Sequence, residues 1–452
     1  MTGLRPATLE WTAAPGPGVV PVPELRGTLS TAAADLTGAA RDFGNRLHHR
    51  PLAVLLPADA ADIAAVVRFG RACGIPVVPR GAGHSVDGQA QARDGIVVDL
   101  TSLAAVGPPA GDRVAADAGA RWSTVVDATL PHGLAPPVLP DHLGLSVGGT
   151  LAAGGFGGAS HRYGSQADNV HALDVVTPTG DLVPCSPTRD ADLFDAVRGS
   201  QGEYGIITRA ALALTPAPAL ARVHRLVYRD LSTFLADQLL LIGEGRFDHV
   251  SGQALAGGPA RPGPNRSGAE GWTFVLEAVA GFDPSSAPDD GALLDGLRYE
   301  RGAGESGTVA YGDFLRRLAP IEAGQRATGS WQGHPHPRRT VLLPGRHAEG
   351  VIQATLRGLT ARELGVGGSV LLYPFATARI AAPRVPRARD AVTVLFGLQR
   401  TAPPGEPAAL EGMLRGNASL RSLAESLGGA GYSGPTAYHE ARVRPRAVRP
   451  PG

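Results

Sequence analysis

The loop Arg80-Gly81-Ala82-Gly83-His84-Ser85-Val86-Asp87-Gly88-Gln89 holds the densest set of residues able to do chemistry. Gly81 and Gly83 let the backbone approach a ligand closely and turn its N–H groups toward an anion, which is how a loop holds a pyrophosphate without a lysine. Read by itself, the segment is either such a cradle or a structural turn, and His84 either a reactive imidazole or a hydrogen-bonded loop histidine. Val86 stands where a Rossmann fingerprint has its third glycine and no helix is expected to follow, so that fingerprint fails. A second glycine-rich segment, LPDHLGLSVGGTLAAGGFGG, spans residues 139–158. Within it, Gly144-Leu145-Ser146-Val147-Gly148 matches a nucleophile elbow, but Pro140 and Gly144 precede the serine and glycines follow it, where an elbow needs a buried strand and then a helix. The glycines suit backbone laid against a flat or elongated cofactor, with Asp141 a carboxylate at its mouth. The other reading of Asp141 is an Asx-turn after proline. His334 and His336, in HPHP, have no acidic or cysteine partner at ligand spacing, so no metal is expected.

What is missing narrows the chemistry further. All 42 basic side chains are arginine, which rules out a Walker phosphate loop and a lysine Schiff base to pyridoxal phosphate. A net charge of +1, with no basic run interleaved with aromatics, argues against nucleic acid. The arginine- and proline-rich tail from Arg442 to Arg449 reads as solvated disorder. Cys73 and Cys185 lie far apart and form no motif, so neither a disulfide framework nor a zinc site is expected. No stretch of about 18 apolar residues could span a membrane, and the N-terminus lacks a secretory pattern, which makes the cytoplasm the expected compartment.

The positioning elements follow from periodicity. A 43% apolar chain of 452 residues is globular and long enough for two or three domains. Residues 51–57 read as a buried strand, Asp59 as a helix N-cap with Ile63, Val66 and Val67 at helical spacing, and Gly74 as its stop. Strands at 75–78 and 95–100 flank the glycine loop, giving a β-α-β unit with that loop at a strand's carboxyl end, where open α/β sheets bind ligands. A strand at 113–118 and a helix at 122–130 precede a long Pro/Gly-rich loop that reaches Tyr163. Strands from 172, a helix at 190–198 and a strand ending at Pro216 complete the first half. Beyond Pro216 and Pro218, strands at 221–229, 247–255, 272–280, 340–344, 368–374 and 391–399 alternate with helices at 231–243, 347–358 and within 406–428. The second half is thus an α+β layer with mainly antiparallel strands.

The segments DFGN (42–45), PRGAGHSVDGQA (79–90), GIVVDLTSL (95–103), HGLAPPVLPDHLGLSVGGTLAAGGFGG (132–158) and GEYGIITRA (202–210), in this order, resemble the vanillyl-alcohol oxidase superfamily, and within it the cytokinin dehydrogenases. The match is dense over 28–218 and patchy beyond, through FDHVSGQ, HPRRTVLLPG and VLLYPF. The resemblance implies an α+β, two-domain PCMH-type fold: an FAD-binding domain at 28–218, a substrate domain with an antiparallel sheet at 219–430, and an atypical tail at 431–452. It implies FAD cradled by Gly81, Gly83, His84 and Ser85, with Gln89, Asp141, Ser146, Ala152, Phe156 and Ile207 also at the cofactor, and a covalent link from His84 to the flavin's 8-methyl carbon. Asp141 falls on the family's catalytic aspartate, which takes the substrate amine's proton while hydride leaves for the flavin, and burial is expected to raise its pKa toward a useful value. The implied partners are a small-molecule substrate, an N6-isoprenoid adenine, and a quinone or oxygen as electron acceptor, with no nucleic acid and no membrane.

Three departures qualify this. Ser251 stands where the family usually has a glutamate. Arg338 replaces a tryptophan of the substrate pocket, which favours a more polar or anionic substrate. The tail after Tyr432 matches none of the family's closing segment, which implies weakened flavin binding or an open site. Two further readings therefore stand beside the first: an FAD-linked oxidase of another amine, an alcohol or a sugar, and a degenerate flavin-binding protein without catalysis.

Overall fold

The computed structural model describes residues 3–256 and 271–432. The Gly/Pro-rich gap after residue 256 and the atypical tail beyond Tyr432 lie outside them.

The first half holds two four-stranded sheets. In one, Ala53–Leu56, Ile96–Asp99 and Val77–Arg80 run parallel in that spatial order, with Thr28–Ser30 antiparallel at the edge. The helix Ala60–Cys73 makes the crossover. Asp59 starts it by accepting from Ala61 and Asp62 N–H groups at 2.9 and 3.2 Å, and Gly74, at φ 67°, stops it in the left-handed conformation that glycine tolerates. The second sheet, in the order Leu182–Cys185, Val170–Val176, Ile206–Ala213, Arg113–Asp117, is antiparallel. Both share one apolar core through Ile63, Val66, Ile96, Val98, Trp122, Leu173 and Ile207.

The expected long loop to Tyr163 is corrected. It contains the helices Val147–Ala153 and Ser160–Tyr163. Glycine content hides the first of these, and burial explains it: Val147 and Leu151 are fully buried, and the Trp122 indole donates to Thr150 Oγ1 at 2.8 Å. Tertiary packing outweighs the weak helix propensity of Gly148 and Gly149. A helix therefore does follow Ser146, contrary to expectation, although no sheet strand leads into it.

The second half is one eight-stranded antiparallel sheet, in the order Glu305–Ala310, Leu220–Tyr228, Trp272–Phe282, His249–Ala256, Ser369–Ala376, Val392–Gln399, Arg339–Pro344, Ala430–Gly431. One face packs on the helices Leu231–Glu244, Gly345–Arg357 and Pro407–Ser426 through Phe234, Leu241, Ile352, Leu420 and their neighbours. The other face carries site residues. Ser251 pairs with Glu277, and Gly252 with Leu372, so strand alternation puts Ser251, Glu277 and Tyr373 on the same side. The strand Glu305–Ala310 and the helices Tyr311–Leu315, Ala319–Ala327 and Ser330–Gly333 were not expected from sequence. All six residues of that strand are exposed, so it has no apolar alternation to betray it. The architecture is a two-domain α+β fold with an antiparallel-sheet second domain. Among the described residues, no helix is long and apolar enough to cross a membrane.

Candidate active site

The glycine loop leaves the carboxyl end of Val77–Arg80, and the DFGN segment holds its shape. Phe43 and Gly44 N–H groups donate to the carbonyls of Gly83 and Ser85 at 2.8 and 3.0 Å. Asp42 Oδ2 accepts from Gly88 N at 2.7 Å and from Ser85 Oγ at 2.9 Å. With these carbonyls drawn outward, the N–H groups of Gly83 and His84 have no partner among the described residues. A Cβ on Gly81 would lie 2.0 Å from Ser146 Oγ, the hydroxyl that accepts from Ala82 N at 3.3 Å. Only glycine fits there.

A cavity of about 390 Å³ opens over this loop. Gly81, Gly83, His84, Ser85, Gln89, Ser146, Ala152 and Ile207 line it, together with Arg338, Thr340, Gln399 and Tyr432. No aspartate or glutamate does. Unused N–H groups, a wall that excludes a Cβ and the absence of acid fit an anionic dinucleotide such as FAD. Phe156 is not in the lining; it packs on Phe375 and Tyr432 at 5.1 and 5.5 Å.

His84 stacks on Phe43, with ring centroids 4.1 Å apart, and lies 4.8 Å from His142 and 5.6 Å from Trp331. Burial, then the neighbouring charges of His142 and Arg338, hold its pKa well below the usual histidine range. The imidazole is neutral at pH 7 and keeps a nucleophilic lone pair. His336 stacks on the same Phe43 at 4.2 Å, and no group of three His, Cys, Asp or Glu residues capable of holding a metal occurs among the described residues.

Asp141 does not line that cavity. Its carboxylate accepts from Arg317 Nη2 at 2.6 Å and from the Tyr373 hydroxyl. Its side chain keeps 23% of its surface exposed, so a ligand can still reach it. Arg317 also donates to Glu277 Oε1 at 2.8 Å, and Arg225 to Glu277 Oε2 at 3.1 Å. Burial pushes the Asp141 carboxyl upward, but the charge of Arg317 and the Tyr373 hydrogen bond outweigh it, and the pKa falls below the ordinary aspartate value. The expectation of a raised pKa is therefore corrected, because a guanidinium the sequence did not place beside Asp141 decides the balance. Tyr373, pushed well above its ordinary value by burial and by Asp141, remains a donor. His249, pushed down to about 4 by burial and Arg317, is neutral, and its Nε2 lies 3.1 Å from Ser251 Oγ.

The two places meet at His142, which adjoins Asp141 in the chain, touches His84, and pairs with Glu322 through Nδ1. Sequence reasoning missed Arg317, Glu277, Tyr373, His249 and Glu322. Glu277 had a signal, as the lone acid in the apolar strand WTFVLEAVAGF. Arg317, in FLRRL, had none.

A family model described as an FAD binding domain matches residues 51–186, and one described as cytokinin dehydrogenase 1, FAD and cytokinin binding, matches 218–428. An uncharacterised oxidoreductase, ORF5 of the fasciation locus of Rhodococcoides fascians, is 39% identical over 90% of both proteins. Cytokinin dehydrogenase 7 of Oryza sativa subsp. japonica is 38% identical over 75% of this protein and 71% of its own length, and cytokinin dehydrogenase 1 of the same plant is 33% identical over 92% and 85%. The crystal structure of 6-hydroxy-D-nicotine oxidase from Arthrobacter nicotinovorans superposes with a TM-score of 0.66 over 88% of this protein and 86% of that one, at 24% identity. At that identity the likeness is one of fold.

Proposed function

The protein belongs to the FAD-binding, PCMH-type oxidoreductases related to the cytokinin dehydrogenases, and from that premise we propose that it oxidises the bond between N6 and the first isoprenoid carbon of an N6-isoprenoid adenine, or the equivalent bond of a closely related amine. The observation that carries this reading is the reachable, ionised carboxylate of Asp141 beside the loop that presents a neutral His84. Bound FAD supplies the hydride acceptor. The residues do the rest. Asp141 accepts a hydrogen bond from the amine and fixes which carbon faces the flavin. A carboxylate with a lowered pKa is a weak base for a resting amine. It suffices once hydride departs, because the nitrogen then becomes iminium-like and its N–H strongly acidic. Tyr373 and Arg317 hold the carboxylate in one orientation throughout. The imine released to water hydrolyses to adenine and an unsaturated aldehyde, and a quinone or oxygen takes the electrons.

His84 is the point of covalent attachment in this reading. Its neutral nitrogen and its place in the cavity lining support that. A second reading, oxidation of another amine or an alcohol, is favoured by Ser251, which puts a neutral hydroxyl where the family usually has a carboxylate.

The test is anaerobic mixing of the purified flavoprotein with isopentenyladenine, other N6-substituted adenines, simple amines and alcohols. Rapid bleaching of the flavin by the adenines alone is expected. Bleaching by amines or alcohols but by no N6-substituted adenine sinks the first reading in favour of the second, and a colourless protein that takes up no FAD sinks both. Acid precipitation should leave the yellow colour in the pellet, and His84→Ala should release it.

A further inference from the structure

A guanidinium closes most tightly on a lone carboxylate as a fork, with two donors along one edge taking the two oxygens. Arg317 does not hold Asp141 in that way. Its Nε and Nη2, the donors along one edge, go to different carboxylates: Nη2 to Asp141 Oδ1 at 2.6 Å and Nε to Glu277 Oε1 at 2.8 Å. Nη1 donates to the Phe314 carbonyl at 3.3 Å, and the Phe314 ring lies 4.4 Å from the guanidinium carbon, across its face.

Glu277 is itself fixed in place. It stands inside the strand Trp272–Phe282, paired with Ser251 on one neighbouring strand and Arg225 on the other, and Arg225 Nε donates to its Oε2 at 3.1 Å. Arg225 also reaches Glu305 at 2.8 Å, so it keeps a partner when Glu277 is replaced. The anchor that draws Nε of Arg317 away from Asp141 is thus a residue in the interior of the eight-stranded sheet.

The consequence falls on Asp141. Its Oδ1 receives one guanidinium nitrogen and its Oδ2 the Tyr373 hydroxyl, so each oxygen retains capacity to accept again. Without Glu277, the Nε and Nη2 edge is released to close on both oxygens. A carboxylate gripped at both oxygens by a guanidinium, and at one of them by a hydroxyl as well, is a poorer acceptor and a weaker base. We propose that Glu277 is a positioning residue that splits the Arg317 fork and so keeps Asp141 able to accept the N–H of the substrate. The proposal rests on the reading of Asp141 given above, and it assigns Glu277 no contact with substrate or flavin.

The test uses the purified flavoprotein with Glu277→Leu, which offers Arg317 no acceptor, and Glu277→Gln, whose amide oxygen still takes Nε. A crystal structure of the Leu variant is expected to show Nε and Nη2 of Arg317 both on Asp141. An Arg317 that stays on one oxygen overturns the proposal, and that readout needs no substrate. In anaerobic mixing with saturating isopentenyladenine, the Leu variant should reduce its flavin about tenfold to a hundredfold more slowly than the wild type, and the Gln variant should lose less. Wild-type speed in the Leu variant overturns the proposal. The comparison with Arg317→Met separates positioning from mere support of the fold. If Glu277 acts through Arg317, adding Glu277→Leu to Arg317→Met slows reduction by less than about twofold further. Losses that multiply show that Glu277 acts independently of Arg317, and overturn the proposal. Arg317→Gln, which also lacks the charged fork, serves the same comparison should the Met variant fail to fold. Reduction by Asp141→Asn as fast as by the wild type fails the reading of Asp141 itself, and the functional half of this proposal with it. The orientation of Arg317 in the Leu variant tells that failure apart from the others.

Discussion

The glycine-loop cavity and the Asp141 site sit side by side and are built on opposite principles. The loop wall of the cavity rests on backbone: Gly81 and Gly83 clear space, Asp42 and Phe43 fix the loop from behind, and the N–H groups of Gly83 and His84 have no partner among the described residues. Its single strong charge, Arg338, stacks over Phe43 at 4.5 Å and has no ion pair among the described residues. The Asp141 site is made of side chains from distant elements, and its charges are balanced internally, Arg317 against Asp141 and Glu277. Under the proposed function the difference follows from what each would bind: a large anionic cofactor brings its own charge and needs surface, whereas a reacting amine needs one oriented acceptor.

The contrast is most directly tested at Asp141. Asp141→Asn keeps the shape and removes the charge, so the rate of flavin reduction by substrate should fall by about 10²–10⁴, while the flavin spectrum and its retention stay as in the wild type. Stopped-flow reduction together with the ratio of flavin to protein absorbance reads both. Equal loss of flavin and of rate would mean that the two regions are one site after all.

Arg317 tests the internal balance. Arg317→Met takes the cation from Asp141 and leaves Glu277 with Arg225 alone, and should cost about 3–5 kcal/mol in urea unfolding at pH 7. The sign with pH follows from Asp141, whose pKa is lowered in the folded state. Its stabilisation is present above the unfolded aspartate value and is lost as pH falls through the lower folded value. Without Arg317 the carboxyl's pKa rises, so the variant should unfold at a higher pH on acidification than the wild type. An unchanged acid midpoint would show that Arg317 is not what holds the carboxylate down.

Legibility in the sequence divides along the same line. Where function rests on backbone, the residue type itself is the record: glycine at Gly81 is required by Ser146, and the spacing of loop, strand and second glycine segment can be read directly. The alternating strands of the second half and the helices between them are equally visible, because each has one face in a core. Charge balance is not legible. Asp141, Arg317 and Tyr373 come from a turn, the residue pair after a short helix, and a strand more than 230 positions from the aspartate. No local pattern states that they touch, so the sequence points to the wrong direction for the Asp141 shift. The helix Val147–Ala153 is hidden for the reverse reason: its glycines, needed for close approach, mask the periodicity that would announce it.

A smaller effect is expected in the cradle itself. Gly83 has φ 67°, and a side chain in that left-handed conformation costs about 1–2 kcal/mol. Its Cβ would also meet the Arg80 guanidinium at 2.4 Å. Gly83→Ala should therefore weaken FAD binding by roughly 5–30-fold, measured in a His84→Ala background where no tether masks dissociation. Turnover per bound flavin should hold, since nothing about Asp141 has moved. A fall in that quantity would blur the line between the two regions.

The smallest expected effect is at their joint. Glu322, on the helix Ala319–Ala327, pairs with His142, and His142 touches His84 while adjoining Asp141. Both partners keep some exposure, at 15% and 21% of their side-chain surface, and a pair in that setting contributes about 1 kcal/mol or less. Glu322→Gln keeps the length and a hydrogen-bonding oxygen, so it should shift the unfolding midpoint only slightly and leave flavin retention and the rate of reduction within about twofold. If reduction slows tenfold while stability barely moves, the His142–Glu322 contact is aligning the ring held at His84 with the carboxylate at Asp141. The two sites would then share one geometric setting, fixed by a helix that belongs to neither.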